Sequence, residues 1–156
     1  MRGGDTGYFT GKLNDIRIYD HILKDSEIAW LGSNKKHKKL ELWMPLNNQL
    51  TSFGTKKITA TATAVTYVQG KTGLNATFNG STSVINTDYV WAPKEGWTIA
   101  GWIKHTSATP HGPLVRMSVP KSSVAMDFNG TNGALRCFYY ISSSSANVLT
   151  TTYIPE

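Results

Sequence analysis

The sequence predicts an all-β protein, an antiparallel β-sandwich with one short helix near its N-terminus. The composition is the first indication: of 156 residues, 40% are hydrophobic, only 17% are charged and 14 are glycine, which is typical of pleated strands joined by tight turns. The second indication is a series of short stretches in which apolar and polar residues alternate, separated by Gly, Asn and Ser. Evenly spaced short strands with turn signals between them indicate a sandwich or jelly roll.

Residues 1–31 form the first predicted unit, a strand followed by a short helix. Ile16 and Ile18 are expected on one face of the strand and Arg17 on the other. Residues 24–31 have the pattern of one or two helical turns.

The helix and the segment after it carry the boundary signals. Asp25 or Ser26 is expected to cap the first helical amides, and Gly32 to end the helix. Residues 32–39 contain four lysines and no apolar side chain, so they are expected to form a basic, solvated linker. Much of the net charge of +6 lies in this run, and the rest of the chain is nearly neutral.

Residues 40–156 are expected to form the main β body. Alternation over Leu40–Leu46 predicts a strand, and residues 58–68 read as another. In the predicted strand 97–104, Trp102 is expected on the face opposite Ile99. Further strands are predicted near residues 74–78, 84–85, 114–117, 123–128, 135–141 and 148–153. The tetrapeptides that begin at Phe78 and Phe128 contain Asn-Gly and are expected to end hairpins.

Two groups of motifs carry a family resemblance. Residues 9–28 contain a Gly, an Asp, the run Arg17-Ile18-Tyr19 and a short helix ending in Glu-Ile. Residues 42–104 contain Leu-Trp-Met-Pro-Leu, a Phe-Asn-Gly turn and Trp-Thr-Ile-Ala-Gly-Trp-Ile-Lys. These stretches resemble, respectively, the closing segment and the opening half of the laminin-G-like, concanavalin A-like jelly rolls common in bacterial surface proteins and phage tail proteins.

In this chain the closing segment precedes the opening half, which leaves three arrangements open. The favoured one is a stretch of tandem domains, with the tail of one domain, a linker and the start of the next. A second is a permuted domain in which residues 7–31 supply a strand to the sheet built by residues 40–156. A third is completion of the sandwich by strands from another chain. The first is favoured because missing strands would leave open apolar edges.

No catalytic constellation stands out in the sequence. Glycoside hydrolysis needs two carboxylates flanking the scissile bond, and no strand carries such a pair. There is no Gly-x-Ser-x-Gly motif, the four histidines lack metal-ligand spacing, and Cys137 lies in an apolar strand, as a small buried residue would. We therefore expect a protein that is not an enzyme.

The family resemblance implies a structural calcium ion, for which Asp15 is the candidate ligand. Asn79 stands where the family usually has Asp, which removes one negative charge. The alternative is that Asp15 and Asn14 only form hydrogen bonds within a turn.

Exposed aromatic rings suggest a ligand. Tyr89, Trp91 and Trp102 are the candidate sugar-stacking residues, and the alternative for each is packing in the core. The expected function is therefore noncatalytic recognition of a glycan or cell surface by a larger extracellular or virion protein. The alternative is a purely structural virion or surface module that contacts other subunits. Neither a nucleic-acid partner nor a membrane partner is expected.

Overall fold

The computed structural model of the chain describes residues 8–31, 39–70, 73–90, 96–106, 113–119, 122–128, 135–141 and 145–150. Over these residues the predicted all-β architecture is confirmed, with antiparallel sheets and one short helix. In chain order the elements are β1 (Thr10–Tyr19), α1 (Asp25–Ile28), β2 (Leu40–Met44), β3 (Ala60–Thr63), β4 (Thr66–Gly70), β5 (Gly73–Asn79), β6 (Val84–Thr87), β7 (Thr98–His105), β8 (Pro113–Val119), β9 (Ser122–Phe128), β10 (Leu135–Ile141) and β11 (Ser145–Thr150).

The strands form three antiparallel groups. The first sheet is built around β1, which pairs with β5 and β2 along one edge and with β7 along the other, while β4 lies outside β5. The second sheet is a meander in the order β11-β10-β9-β8. Strands β3 and β6 form a separate two-stranded ribbon.

The main core lies between the first two sheets. It joins buried side chains of β1, β2 and β5 to those of β8 and β9: Phe9, Leu13, Ile18, Leu42, Met44, Leu46, Ala76, Phe78, Met117, Val124 and Phe128. The alternation predicted for Leu40–Leu46 is confirmed, because the four apolar members of that alternation are all buried. One face of the first sheet is therefore buried in the main core, and its other face is turned away from this core.

Strand β1 therefore shares a sheet with strands that follow the lysine-rich segment. Ile18 pairs with Leu42 of β2 on one side and with Ile99 of β7 on the other. This is the pairing that the permuted arrangement expects. The predicted linker, residues 32–39, lies outside the described residues except for Lys39, and the tandem-fragment arrangement stays a prediction.

Two local predictions are corrected by the structure. The helix α1 is capped by Lys24 rather than by Asp25 or Ser26, and the Lys24 N–H donates to Glu27 Oε2 at 2.9 Å. The single strand predicted over residues 58–68 is two strands, because Ala64 between them adopts a left-handed φ of 50°.

The two Phe-Asn-Gly tetrapeptides also behave differently from each other. Strands β9 and β10, which flank the second one, do pair as a hairpin. Strand β5, which ends at Asn79, pairs with β1 and β4, whereas β6 pairs with β3. The hairpin predicted at the first tetrapeptide is therefore wrong, and the chain leaves the sheet there through Gly80, whose φ is +75°.

The short helix α1 has four residues. No helix in the described part of the chain has the length and apolar character needed to cross a membrane.

Candidate functional site

The centre of the first sheet contains a β-bulge. Asn14 pairs with Trp102 and Arg17 pairs with Ala100, so the two residues Asp15 and Ile16 of β1 stand opposite the single residue between those partners on β7. Asp15 takes a left-handed φ of 58°, a conformation that Asp tolerates better than most residues. Its N–H donates to the carbonyl of Pro45 at 3.0 Å.

The bulge decides which side chains face outward. In a regular strand, Leu13 and Ile16 would lie on opposite faces, because side chains alternate with a period of two. The extra residue brings Leu13, Ile16 and Ile18 to the core side, and leaves Asn14 and Arg17 on the other side, which we call the outer face. Bulges often redirect side chains near functional sites.

Three side chains at the bulge form one connected group. Arg17 Nε donates to Asp15 Oδ1 at 3.0 Å, and Arg17 Nη2 lies 2.9 Å from Asp15 Oδ2. Trp43 Nε1 also donates to Asp15 Oδ1, at 2.6 Å, and the guanidinium carbon lies 4.8 Å from the centre of the Trp43 ring. Arg17 is only 2% exposed, so its charge is compensated almost entirely by this carboxylate and this ring.

One nitrogen of the guanidinium is left over. Arg17 Nη1 is buried and has no hydrogen-bond partner in the described part of the chain. The neighbouring Tyr19 is fully buried, and burial raises the pKa of its phenol while Arg17 partly offsets the increase. Tyr19 packs with Leu23 and Leu40 in a small second cluster, which fixes the end of the outer face nearest α1.

Trp102 provides the exposed aromatic surface on the outer face. Its side chain is 66% exposed, as predicted from the alternation in β7. It lines a cleft of about 420 Å³ that is mostly apolar. The cleft reaches from Ile28 and Leu31, around α1, to apolar side chains of β1, β7 and the second sheet, and Asp15 and Arg17 are its charged members. A cleft of this size falls within the usual range for small-molecule sites.

The other two predicted aromatic residues are not found with Trp102. Tyr89 packs against the main core, and its hydroxyl donates to Glu41 Oε2 at 2.5 Å. Burial and the Glu41 carboxylate raise the pKa of Tyr89. Tyr89 also lines a different cavity, between the sheets. Trp91 lies outside the described residues.

The predicted calcium ligand, Asp15, already has partners for both carboxylate oxygens in Arg17 and Trp43. Calcium ordinarily takes six to eight oxygen ligands. In the described ranges no group of three or more Asp, Glu, His or Cys residues is placed so that it could hold a metal ion. Asn14 is the other residue that the sequence offered for hydrogen bonds within a turn. Its Nδ2 donates to the carbonyl of Leu74 at 2.9 Å. The described surroundings of Asp15 do not fit a calcium ion, and calcium binding stays a prediction of the sequence.

Asn79 stands where the resemblance to the jelly-roll family expects the Asp of Phe-Asp-Gly. The side chain of Asn79 organises a loop. Asn79 Oδ1 accepts hydrogen bonds from the N–H groups of Ser81, Thr82 and Ser83 at 2.9, 2.9 and 3.1 Å. The Ser83 hydroxyl in turn donates to the carbonyl of Ala64. This residue therefore acts as a loop cap in the structure.

The Cys137 thiol is poorly suited to nucleophilic catalysis. Cys137 is part-buried, and burial, together with the Asp127 carboxylate, raises the pKa of its thiol. A raised pKa lowers the thiolate fraction, which is the reactive form.

Several residues of the outer face were missed by sequence reasoning. Arg17 and Trp43 were assigned only to strands and sequence motifs, Asn14 only to hydrogen bonds within a turn, and Lys12 and Lys104 were given no role. The spacings Lys-x-Asn on β1 and Trp-x-Lys on β7 do place each pair on one face. However, only the register between the strands shows that the two pairs are neighbours.

Comparison with known proteins identified no relative of this chain. No protein-family model, curated protein or solved structure matches this chain. The likeness to laminin-G-like jelly rolls rests on the sequence motifs and stays a prediction.

Proposed function

We propose that this chain is a noncatalytic carbohydrate-recognition module of a larger extracellular or virion protein, and that Trp102 is its sugar-stacking platform. The proposal is carried by one observation: a tryptophan that is 66% exposed lies beside a mostly apolar cleft to which Asp15 and Arg17 contribute the polar groups. Burying that side chain elsewhere in the sandwich would have stabilised the fold, so its exposure favours a role in binding.

The groups near Trp102 have the chemistry that a saccharide requires. Flat aromatic rings stack on the apolar faces of sugar rings, and polar neighbours fix the orientation of the hydroxyl groups. The Asp15 carboxylate, whose side chain is 19% exposed, can accept a hydrogen bond from a hydroxyl.

The rigidity of the platform also supports binding. Trp102 pairs with Asn14 of β1, and Asn14 is tied to β5 through the carbonyl of Leu74. The backbone that presents Trp102 is fixed by its pairing with β1, so it loses little conformational entropy when a ligand binds, and such ordering is part of the cost of association.

The test is binding to a broad glycan array, followed by titration of the best glycan with purified variants. Trp102→Ala is expected to lower the affinity about fivefold to tenfold, since stacking on an aromatic ring contributes about 1–1.5 kcal/mol. Trp30→Ala is the matched control, because Trp30 is 56% exposed but does not line the cleft. Absence of binding across the array, or equal losses in both variants, would overturn the proposal.

A structural role in a protein assembly is the second candidate. Strand β7 pairs with β1 along one edge, and the described strands provide no partner for its other edge. An unpaired edge can accept a strand from another subunit. This candidate predicts self-association or assembly with a partner subunit in sedimentation experiments, whereas the favoured function predicts glycan binding by the monomer.

A further inference from the structure

Two lysines lie directly opposite each other beside the Trp102 platform. Lys12 of β1 pairs with Lys104 of β7, one step along the same face from the pair formed by Asn14 and Trp102. Side chains of directly opposed residues lie about 5 Å apart at Cβ. The four residues therefore form a compact patch, which we call the lysine–tryptophan patch.

The lysine pair is unfavourable for the isolated protein. Like charges directly opposite each other in a sheet destabilise the pairing. In the described part of the chain neither lysine forms an ion pair. Four carboxylates of the sheets and loops are engaged with other groups: Asp15 with Arg17, Glu41 with Tyr89, Asp88 with the N–H of Thr59, and Asp127 with Arg136. Lys104 is exposed and Lys12 is part-buried.

We infer that the saccharide bound at Trp102 is acidic, with carboxylate or sulfate groups that lie between Lys12 and Lys104. This inference rests on the proposed function and specifies its ligand class. The stacked ring would supply the part of the affinity that does not depend on the charge of the sugar. The two ammonium groups would select sugars with an anionic substituent. The bound anion would also relieve the repulsion between the lysines.

The geometry favours a sugar acid over a nucleic acid. A polynucleotide groove needs several cations spread along the backbone and successive aromatic rings. The lysine–tryptophan patch offers one ring and two cations on adjacent strands, which matches a single charged residue of a glycan.

The experiment uses polygalacturonate and its methyl ester, which share a backbone and differ at the carboxyl group, a charged carboxylate in one and a neutral methyl ester in the other. Binding is measured by calorimetry at low and high salt. Wild type is expected to bind polygalacturonate at least about tenfold more tightly than the ester, and this preference is expected to shrink as salt rises. Lys12→Gln and Lys104→Gln are each expected to weaken polygalacturonate binding about fivefold and to leave binding of the ester unchanged.

The control removes two positive charges, which is more than either single variant removes. Lys56→Gln/Lys57→Gln removes two exposed lysines from the loop between β2 and β3, which are not part of the lysine–tryptophan patch, and is expected to bind like wild type. The Lys12 and Lys104 variants should fold normally, because each relieves a like-charge contact, and thermal unfolding checks this directly.

The possible outcomes distinguish a failure of the acidic-saccharide inference from a failure of the proposed carbohydrate-binding function. Equal binding of polygalacturonate and its ester overturns the inference and leaves the proposed function standing, whereas binding of neither in the calorimeter, with no hit on a glycan array, overturns both. Equal losses in the Lys56/Lys57 control would show a general charge effect and overturn the inference. Tighter binding to oligothymidylate than to polygalacturonate, with the same dependence on the two lysines, would assign the patch to nucleic acid instead.

Discussion

Replacing Asp15 with Asn tests the organisation of the candidate site most severely. The substitution keeps the size of the side chain and its tolerance for the left-handed φ of 58°. It removes the charge that compensates Arg17, whose side chain is only 3% exposed. Removing one partner of a buried ion pair typically costs about 3–5 kcal/mol, because the remaining charge stays buried without compensation.

The expected loss lies at the lower end of that range. Asn retains one oxygen that can accept from Trp43 Nε1, and the Asp15 side chain is partly exposed, so some water can reach the site. We expect a decrease of about 3 kcal/mol in the free energy of unfolding. For a chain of this length that corresponds to a decrease of about 6–12 °C in Tm.

The assay is urea unfolding followed by tryptophan fluorescence, with Asp25→Asn as the control. Asp25 lies exposed in the first turn of α1, and its replacement is expected to change stability by about 0.5 kcal/mol or less. In Asp15→Asn/Arg17→Met no charge remains buried, so the double variant is expected to be more stable than Asp15→Asn alone. A loss from Asp15→Asn no larger than that of the control would refute the reasoning.

Three further predictions concern other parts of the fold. Because the pKa of Tyr89 is raised above its ordinary value of 10.0, its contribution to stability is complete below pH 10 and is lost as the pH rises further. Tyr89→Phe should therefore make the decrease of Tm above pH 10 less steep, and an unchanged slope would contradict this. Gly80→Ala is expected to destabilise the protein by more than about 1 kcal/mol in urea unfolding, since φ is +75° and the added Cβ would collide with Thr10 Oγ1; a neutral result would contradict the loop geometry. The raised pKa and burial of Cys137 predict iodoacetamide alkylation about tenfold slower in the folded protein than in urea, and equal rates would contradict its position in β10.

The pattern of single strands could be predicted from the sequence because it depends on local alternation. The inward-facing apolar residues of Leu40–Leu46 and the outward-facing Trp102 follow from a period of two alone. The same reasoning failed at Asn79-Gly80. A turn signal says that the chain reverses or bends, but it does not say which strand is paired on the far side.

The candidate site depends on features that no local pattern contains. The bulge at Asp15 lies where β1 changes its partner from β5 to β2 on one edge, while β7 pairs along the other edge. The contacts of Arg17 with Trp43 and of Lys12 with Lys104 depend on register between strands that are far apart in the sequence. Alternation could place each side chain on a face, and only the paired structure could show its neighbours.

The most direct test of the central claim is an NMR titration of the tryptophan indole N–H signals with a trimer of galacturonic acid. The chain has five tryptophans, and Trp102→Phe identifies the signal of Trp102 by its disappearance. We predict that the Trp102 signal shifts most on addition of the trimer, with a smaller change at Trp43, which lies behind Asp15. Shifts confined to Trp30 or Trp97, or no shift at any indole with any glycan that the array identifies, would contradict the assignment of this face as the binding site.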